Sequence, residues 1–307
     1  MELPALARRT ALIPALLAFA AVVSCGDGVG ESVVTVGAGD TAESAVLAEI
    51  YAGALSRGGI PAEVSPAPGD RGARLAALDS GSIDLLADHT GALTRFFDAT
   101  ALSTIASPDG GAPTPGTSAD PVKTAAAALA RSLPQGIVVS DPADGTDVRP
   151  RLLVGTDTAR LESRTDPESV MAICAARTGG LAPALGLLDP APPETLPSCI
   201  FATTERFADP AALRAALLEG RIGAGILAGP VPADSTAGST VIADATVPAE
   251  NVVPVFRDGV LDDRGRERLN QVAGELTTDE LVTLVQRAEA GDSPADLARS
   301  WLDAHAL

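Results

Sequence analysis

The segment from Val33 to Leu93 constrains the fold more than any other part of the chain. It begins with the apolar, β-branched run Val33-Val34-Thr35-Val36 and a glycine turn, Gly37-Ala38-Gly39-Asp40. A helix to Arg57 follows, with apolar residues at Val46, Leu47, Ile50, Tyr51, Ala54 and Leu55. That 3.6-residue period gives a single core-facing stripe. Gly58-Gly59 ends the helix, Ile60 to Val64 returns as a strand, and a second helix surrounds Leu75 and Leu78. Ile83-Asp84-Leu85-Leu86 is the next short apolar run. The pattern predicts a β-α-β-α-β unit of parallel strands, which open sheets use to bind ligands at the strands' carboxyl ends.

The α/β rhythm continues beyond this unit. Ser107 to Pro121 is rich in Pro, Gly and Ser and reads as a surface loop, and Pro121 to Arg131 as an alanine-rich helix. Ile137–Ser140, the polar turn Asp141–Asp147 and Leu152–Val154 read as an extended crossing. Short strands are expected around Met171, Ile200 and Ile222, with helices over Leu181–Leu188 and Asp209–Glu219; Asp209-Pro210 suits a helix start. The run Gly220-Arg221-Ile222-Gly223 parallels Gly81-Ser82-Ile83-Asp84. Asn251–Arg257 and two helices reaching Trp301 look like a return to the first half. The crossings Ile137–Val154 and Gly225–Val247 interrupt the rhythm. They divide the chain into a first lobe, residues 31–144 and 233–307, and a second, 145–232, as a hinged binding protein requires.

At the amino end Arg8-Arg9 precede the apolar run Ala11–Ser24, too short for a comfortable membrane span, so 1–24 reads as a signal peptide. Val22-Val23-Ser24-Cys25 resembles a lipobox, which would make Cys25 the acylated first residue of the mature chain and residues 25–30 its tether. The alternative is an ordinary signal peptide with an incidental cysteine. An exported, lipid-anchored location on the cell membrane follows from the first reading. Cys174 and Cys199 would then face an oxidising compartment; they either form a disulfide or are two buried small hydrophobes.

The 307 residues are 46% hydrophobic and carry a net charge of −18. Such a surface repels nucleic acid and weakly favours cationic or zwitterionic solutes. Aromatic residues make up only 3%. Gly37-x-Gly39-x-x-Ala42, with Glu63 ending the next strand, superficially fits a dinucleotide fingerprint, but export argues against a soluble nicotinamide ligand. No Gly-x-Ser-x-Gly elbow and no Walker A loop occur, and the two histidines, His89 and His305, stand near no cysteine pair, so neither a cofactor nor a metal site is expected. Nothing marks a serine that would partner His89 in a triad. His305, near the terminus, reads as solvated; Tyr51 and Trp301 read as packing residues.

Val36-Gly37-x-x-Asp40-x-x-Glu43, Leu47–Ala52, Gly81-Ser82-Ile83-Asp84-Leu85 and Thr90-Gly91 resemble the glycine betaine/choline-binding proteins of osmoprotectant ABC transporters, the ProX/OpuAC-like group. Leu261–Leu276 with Thr277-Thr278, and Ala298-Arg299-x-Trp301-Leu302, are similar to that family's closing helices. The resemblance implies a type II periplasmic-binding-protein fold, an ABC permease as partner, a small-molecule ligand and no enzymatic activity. In the family an aromatic cage holds a quaternary ammonium by cation–π contacts. Here the family's glutamate-tyrosine-threonine-glycine is Asp88-His89-Thr90-Gly91, so His89 replaces a cage tyrosine, while a frequent lysine falls on Gly39 and another tyrosine on Leu185. Cys174-x-x-Arg177-x-Gly179-Gly180-Leu181 resembles the family segment whose arginine clasps an anionic group, which makes Arg177 the candidate for a carboxylate. The expected site therefore joins Gly39, Asp40, Thr41, Asp88, His89 and Thr90 to Arg177 and Asp147, with Asp40 and Asp88 facing a cationic head. Retention of the fold by a surface lipoprotein that senses or docks without transport is the alternative reading.

Overall fold

A computed structural model describes residues 33–101, 120–155, 184–188, 203–231, 236–242 and 250–307. Within them the chain forms two five-stranded sheets. The first begins with β1 (Val34–Ala38), α1 (Ala42–Arg57), β2 (Ala62–Pro66), α2 (Arg71–Asp79), β3 (Leu85–His89) and α3 (Thr90–Phe97). It continues through α4 (Pro121–Ser132) and β4 (Ile137–Val139), then passes to the second sheet. That sheet contains β5 (Arg151–Gly155), β6 (Leu185–Leu188), β7 (Thr204–Phe207), α5 (Pro210–Leu218), β8 (Ala224–Leu227) and β9 (Ser239–Ile242). β10 (Val252–Arg257) returns to the first sheet and leads into α6 (Asp263–Glu275), α7 (Thr278–Glu289) and α8 (Pro294–Ala304).

Strand order in the first sheet is β2-β1-β3-β10-β4 and in the second β7-β6-β8-β5-β9. β1 pairs in parallel with β2 and β3, and β10 runs antiparallel between β3 and β4. The second sheet repeats this plan, with β6 parallel to β7 and β8, and β5 antiparallel between β8 and β9. Each sheet thus has one strand supplied by a segment that has crossed from the other.

The first sheet is covered on both faces, which accounts for the continuous apolar character of its strands. One face packs the α1 stripe, including the fully buried Tyr51, against Leu269, Val272, Leu281, Leu284, Leu297 and Trp301. The other packs Leu75, Leu78, Leu93 and Leu129 against Leu86, Val253 and Val255. The helices begin where short polar side chains satisfy their first amides: Thr41 accepts from Ser44, Asp70 from Ala73, and Thr277 forms a reciprocal capping box with Glu280. Pro121, Pro210 and Pro294 stand at first-turn positions where a missing N–H costs nothing. Matching notches lock the two sheets. A Cβ on Gly37 would lie 2.5 Å from Ile83 Cδ1, and one on Gly186 2.5 Å from Ile222 Cδ1. The parallel between Gly81–Asp84 and Gly220–Gly223 therefore marks equivalent turns that deliver an isoleucine onto β1 and β6, the strand in each sheet that lies between two parallel partners.

Several expectations are corrected. Leu185–Leu188, expected to end a helix, is strand β6, since so short an apolar run carries no helical period and lies between two parallel partners. Ile222 precedes β8 rather than centring it, and β3 starts at Leu85 rather than Ile83. Three helices, not two, close the chain, because Ser293-Pro294 caps and starts a third. The stretch Gly225–Val247, expected as a crossing, holds most of β8 and all of β9. β9 pairs with β5, which places it in the second sheet beyond the expected boundary at Ala233, so the change of sheet falls between Ile242 and Val252. The strands expected at Met171 and Ile200 lie outside the described residues. No helix among the described residues is long and apolar enough to cross a membrane.

Candidate functional site

Parallel pairing of β1, β2 and β3 brings the amino termini of α1, α2 and α3 to one edge of the first sheet. In the β1–α1 loop, Gly39 N donates to Ser44 Oγ at 2.7 Å and Thr41 caps α1. Asp40 Oδ2 accepts from Gly69 N at 2.9 Å, which ties this loop to the one preceding α2. Asp88 and His89 are the last residues of β3 and Thr90 is the first of α3, so the backbone that carries both expected site residues is held by the sheet.

Asp88 is deeply buried, its side chain 3% exposed, and it is not a free carboxylate. Arg71 grips it bidentately, Nε at 2.9 and 3.1 Å from the two oxygens and Nη2 at 2.9 Å, and Asp88 Oδ1 also accepts from His89 N at 2.8 Å. A cation opens α2 here, where a helix dipole favours an anion, and its fork-to-fork contact with Asp88 accounts for that placement. Burial opposes the Arg71 charge, but the hydrogen bonds and field of Asp88, with Glu250 and Glu43 farther off, raise its pKa.

His89 Nε2 lies 2.9 Å from Glu43 Oε1, with 19% of the histidine side chain exposed. Burial pushes the imidazole pKa down, yet the Glu43 carboxylate outweighs it, assisted by Asp88 and Glu250, and raises it to about 9. His89 is therefore an imidazolium at neutral pH. A third pair joins Arg95 of α3 to Glu250, whose side chain is 5% exposed. Three carboxylates thus face two guanidiniums and an imidazolium, so the part of the edge that a cage tyrosine would make aromatic is ionic, its pairs neutral, with Asp40 standing outside them. No group of acidic, histidine or cysteine side chains suited to a metal ion occurs among the described residues.

Of the residues expected at the site, the structure brings Gly39, Asp40, Thr41, Asp88, His89 and Thr90 to this edge. Asp147 lies in the segment joining the sheets. Its N donates to Thr278 Oγ1 at 2.7 Å, and its carboxylate accepts from Arg149 Nε at 2.8 Å. Arg177, the two cysteines Cys174 and Cys199 and the expected lipidation site Cys25 fall outside the described residues. Sequence reasoning missed the partners Glu43, Arg71, Arg95 and Glu250. Glu43 stood in the motif as an ordinary acidic first-turn residue, and a conspicuous signal for Arg71 was its place directly after the cap Asp70. Tyr51 and Trp301 are core residues. His305, expected to be solvated, instead lies 4.3 Å, centroid to centroid, from the Trp301 ring and 3.0 Å from Glu280.

Residues 32–158 and 199–304 match OpuAC, the substrate binding domain of the ABC-type glycine betaine transport system. Among solved structures, one described as a glycine betaine/carnitine/choline ABC transporter is 17% identical, with 89% of this chain and 98% of that one covered and a TM-score of 0.62. YehZ from Escherichia coli without ligand is 18% identical over 89% of this chain and 98% of that one, TM-score 0.59. Lactococcal OpuAC, closed on glycine betaine, is 13% identical over 89% and 96%, TM-score 0.52. At these identities the likeness is one of fold. None of the curated proteins compared with the chain matches it. The family consists of binding proteins rather than enzymes. With its family match spanning both sheets, the chain belongs to the OpuAC family, the substrate-binding domains of ABC-type glycine betaine transport systems, and has a type II periplasmic-binding-protein fold.

Proposed function

We propose that this protein is a lipid-anchored, extracytoplasmic receptor that binds a small zwitterionic or quaternary ammonium solute and hands it to an ABC permease. The family match over residues 32–158 and 199–304 carries the reading. The convergence of three helix amino termini at the strand ends supports it, since open α/β sheets bind ligands there. We assign residues 31–144 and the chain from β10 onward to one lobe and 145–242 to the other, with β9 counted in the second because it pairs there. The ligand lies against Gly39-Asp40-Thr41 and Asp88-His89-Thr90, and Arg177 and the Asp147 crossing face it from the other side. Because Arg71 neutralises Asp88 and Glu43 holds His89 charged, the end of β3 presents hydrogen-bond donors rather than a bare carboxylate, and Asp40 is left to face a cationic head.

A thermal-shift screen of the chain from Gly26 onward against glycine betaine, choline, carnitine and amino acids tests the reading. A ligand at a hundred times its Kd should stabilise by about 2.7 kcal/mol. Calorimetric titration of the best binder should show weakened affinity in Arg177→Ala and His89→Ala; unchanged affinity in both, with circular dichroism intact, places the ligand elsewhere. For the anchor, Cys25→Ala should release the protein from membranes or leave the precursor uncleaved. Detergent partitioning that survives the substitution would rule the lipid anchor out.

A further inference from the structure

The two segments that join the sheets lie side by side and hydrogen bond to each other. Ala143 N donates to Val252 O at 2.8 Å, Val148 N to Glu250 O at 2.8 Å, and Val252 N to Thr146 Oγ1 at 2.9 Å. Asn251, fully inside, donates its side-chain amide to the carbonyls of Ala143 and Thr146. The same short stretch also holds the start of α3. Thr90 N donates to Asn251 O at 3.0 Å, and Asn251 N donates to Thr90 Oγ1 at 3.1 Å. Thr90 directly follows Asp88 and His89, so the site's edge and the paired crossings share one hydrogen-bonded body.

Among the described residues, Glu250 adds the only charged side chain in this lacing that reaches across to α3. Its carboxylate pairs with Arg95 one turn beyond Gly91, and it occupies the space that a side chain at Gly91 would need. A Cβ at Gly91 would stand 2.7 Å from both Glu250 Cγ and Oε1. A buried ion pair is an inefficient way to stabilise a fold, since desolvation offsets most of its attraction and apolar replacements often do as well. What a charged, directional pair does supply is a single orientation between two segments. Packing Glu250 through a glycine gap fixes that orientation further.

We propose that Glu250 is a positioning residue for ligand binding: through Arg95 and over Gly91 it mounts the first turn of α3 on the paired crossings, so that the ligand-facing end of β3 and α3 moves with them. This rests on the placement of the ligand site proposed above. When the crossings rotate about their own hydrogen bonds, Asp88, His89 and Thr90 are carried along rather than left behind, and a change at the ligand is returned to the crossings by the same contacts.

The test uses the mature protein and Glu250→Gln, which keeps the shape and one hydrogen bond but removes the charge. Hydrogen exchange of the ligand-free protein should show amides of 90–95 and 143–148 opening together, about tenfold faster than in the parent. Affinity for the probe glycine betaine, or choline if only that binds, should fall about tenfold. Asp84→Asn serves as the comparison, because it breaks the Arg257–Asp84 pair at the opposite end of β3 and should lower the melting temperature without changing affinity. If Glu250→Gln does not fold, Arg95→Lys keeps the charge, loses the forked geometry, and should shift both readouts in the same direction. Faster exchange confined to 250–252, or an affinity loss no larger than that of Asp84→Asn, overturns the proposal. Failure of both probes to bind the parent protein would count against the proposed solute, while the exchange result alone would still decide the role of Glu250.

Discussion

Arg71→Ala should lower the melting temperature by about 10 °C. Among the described residues, the substitution leaves the Asp88 carboxylate, 3% exposed, with a single donor, the His89 amide, in place of three contacts from a guanidinium. Removing one partner of a buried ion pair is destabilising by roughly 3–5 kcal/mol, because the charge left behind is neither paired nor hydrated. Arg71 keeps part of its side chain in solvent, which favours the lower end, about 3 kcal/mol. In a chain of this length each kcal/mol corresponds to about 2–4 °C. Asp88→Asn in the presence of Arg71 should be milder, since Arg71 can turn toward water. Scanning calorimetry of the two variants decides the matter, and a shift below about 2 °C for Arg71→Ala would show that Asp88 finds other donors.

Raising the pH from 6.5 to 9 should destabilise the protein by about 3 kcal/mol through His89 alone. Its pKa stands at about 9 in the folded chain, against 6.5 for an unconstrained imidazole. Between those values the folded state holds a proton that the unfolded state releases, so stability falls as pH rises. The contribution is fully present below pH 6.5 and is lost as pH passes through about 9. Other groups titrate in the same range, so the measurement is a difference: denaturant unfolding of the parent and His89→Gln across pH 6 to 10. The two curves should differ in slope between 6.5 and 9 and run parallel beyond it. Parallel curves throughout would mean that Glu43 does not hold the proton on His89.

The first sheet was legible because its signals are local and repeated. The α1 stripe, the Gly58-Gly59 stop and the turn before Ile83 each specify one element through backbone and burial preferences, and they agree with one another. The second sheet was less legible for the same reason inverted. Leu185–Leu188 is four residues long, and its strand character comes from flanking β7 and β8, a tertiary fact that no local period announces. Within the expected site, Asp88 and His89 were singled out because they sit in the family's motif. Their partners could not be, since Arg71 is 17 residues from Asp88 and Glu43 is 46 from His89. The sequence shows charges; which of them are already spent on one another is decided by the fold. Reading Asp88 as a carboxylate open to a cationic head followed from that blind spot.

The cancellation of charge at the edge of the first sheet also bears on how binding should respond to ionic strength. A site that attracts its ligand with an uncompensated charge weakens as counterions gather around it, over a Debye length of about 10 Å at 0.1 M and 3 Å at 1 M. Here Asp88, Glu43 and Glu250 each have a cation at hydrogen-bond distance, closer than an ion atmosphere can form, and two of the three are almost wholly shielded from solvent, while the exposed Asp40 stands outside these pairs. A solute with no net charge meeting such a surface exchanges hydrogen bonds and dispersion contacts rather than bulk counterions. On the proposed placement, the salt dependence of its affinity should then come from Asp40 and Arg177 rather than from the three neutralised pairs.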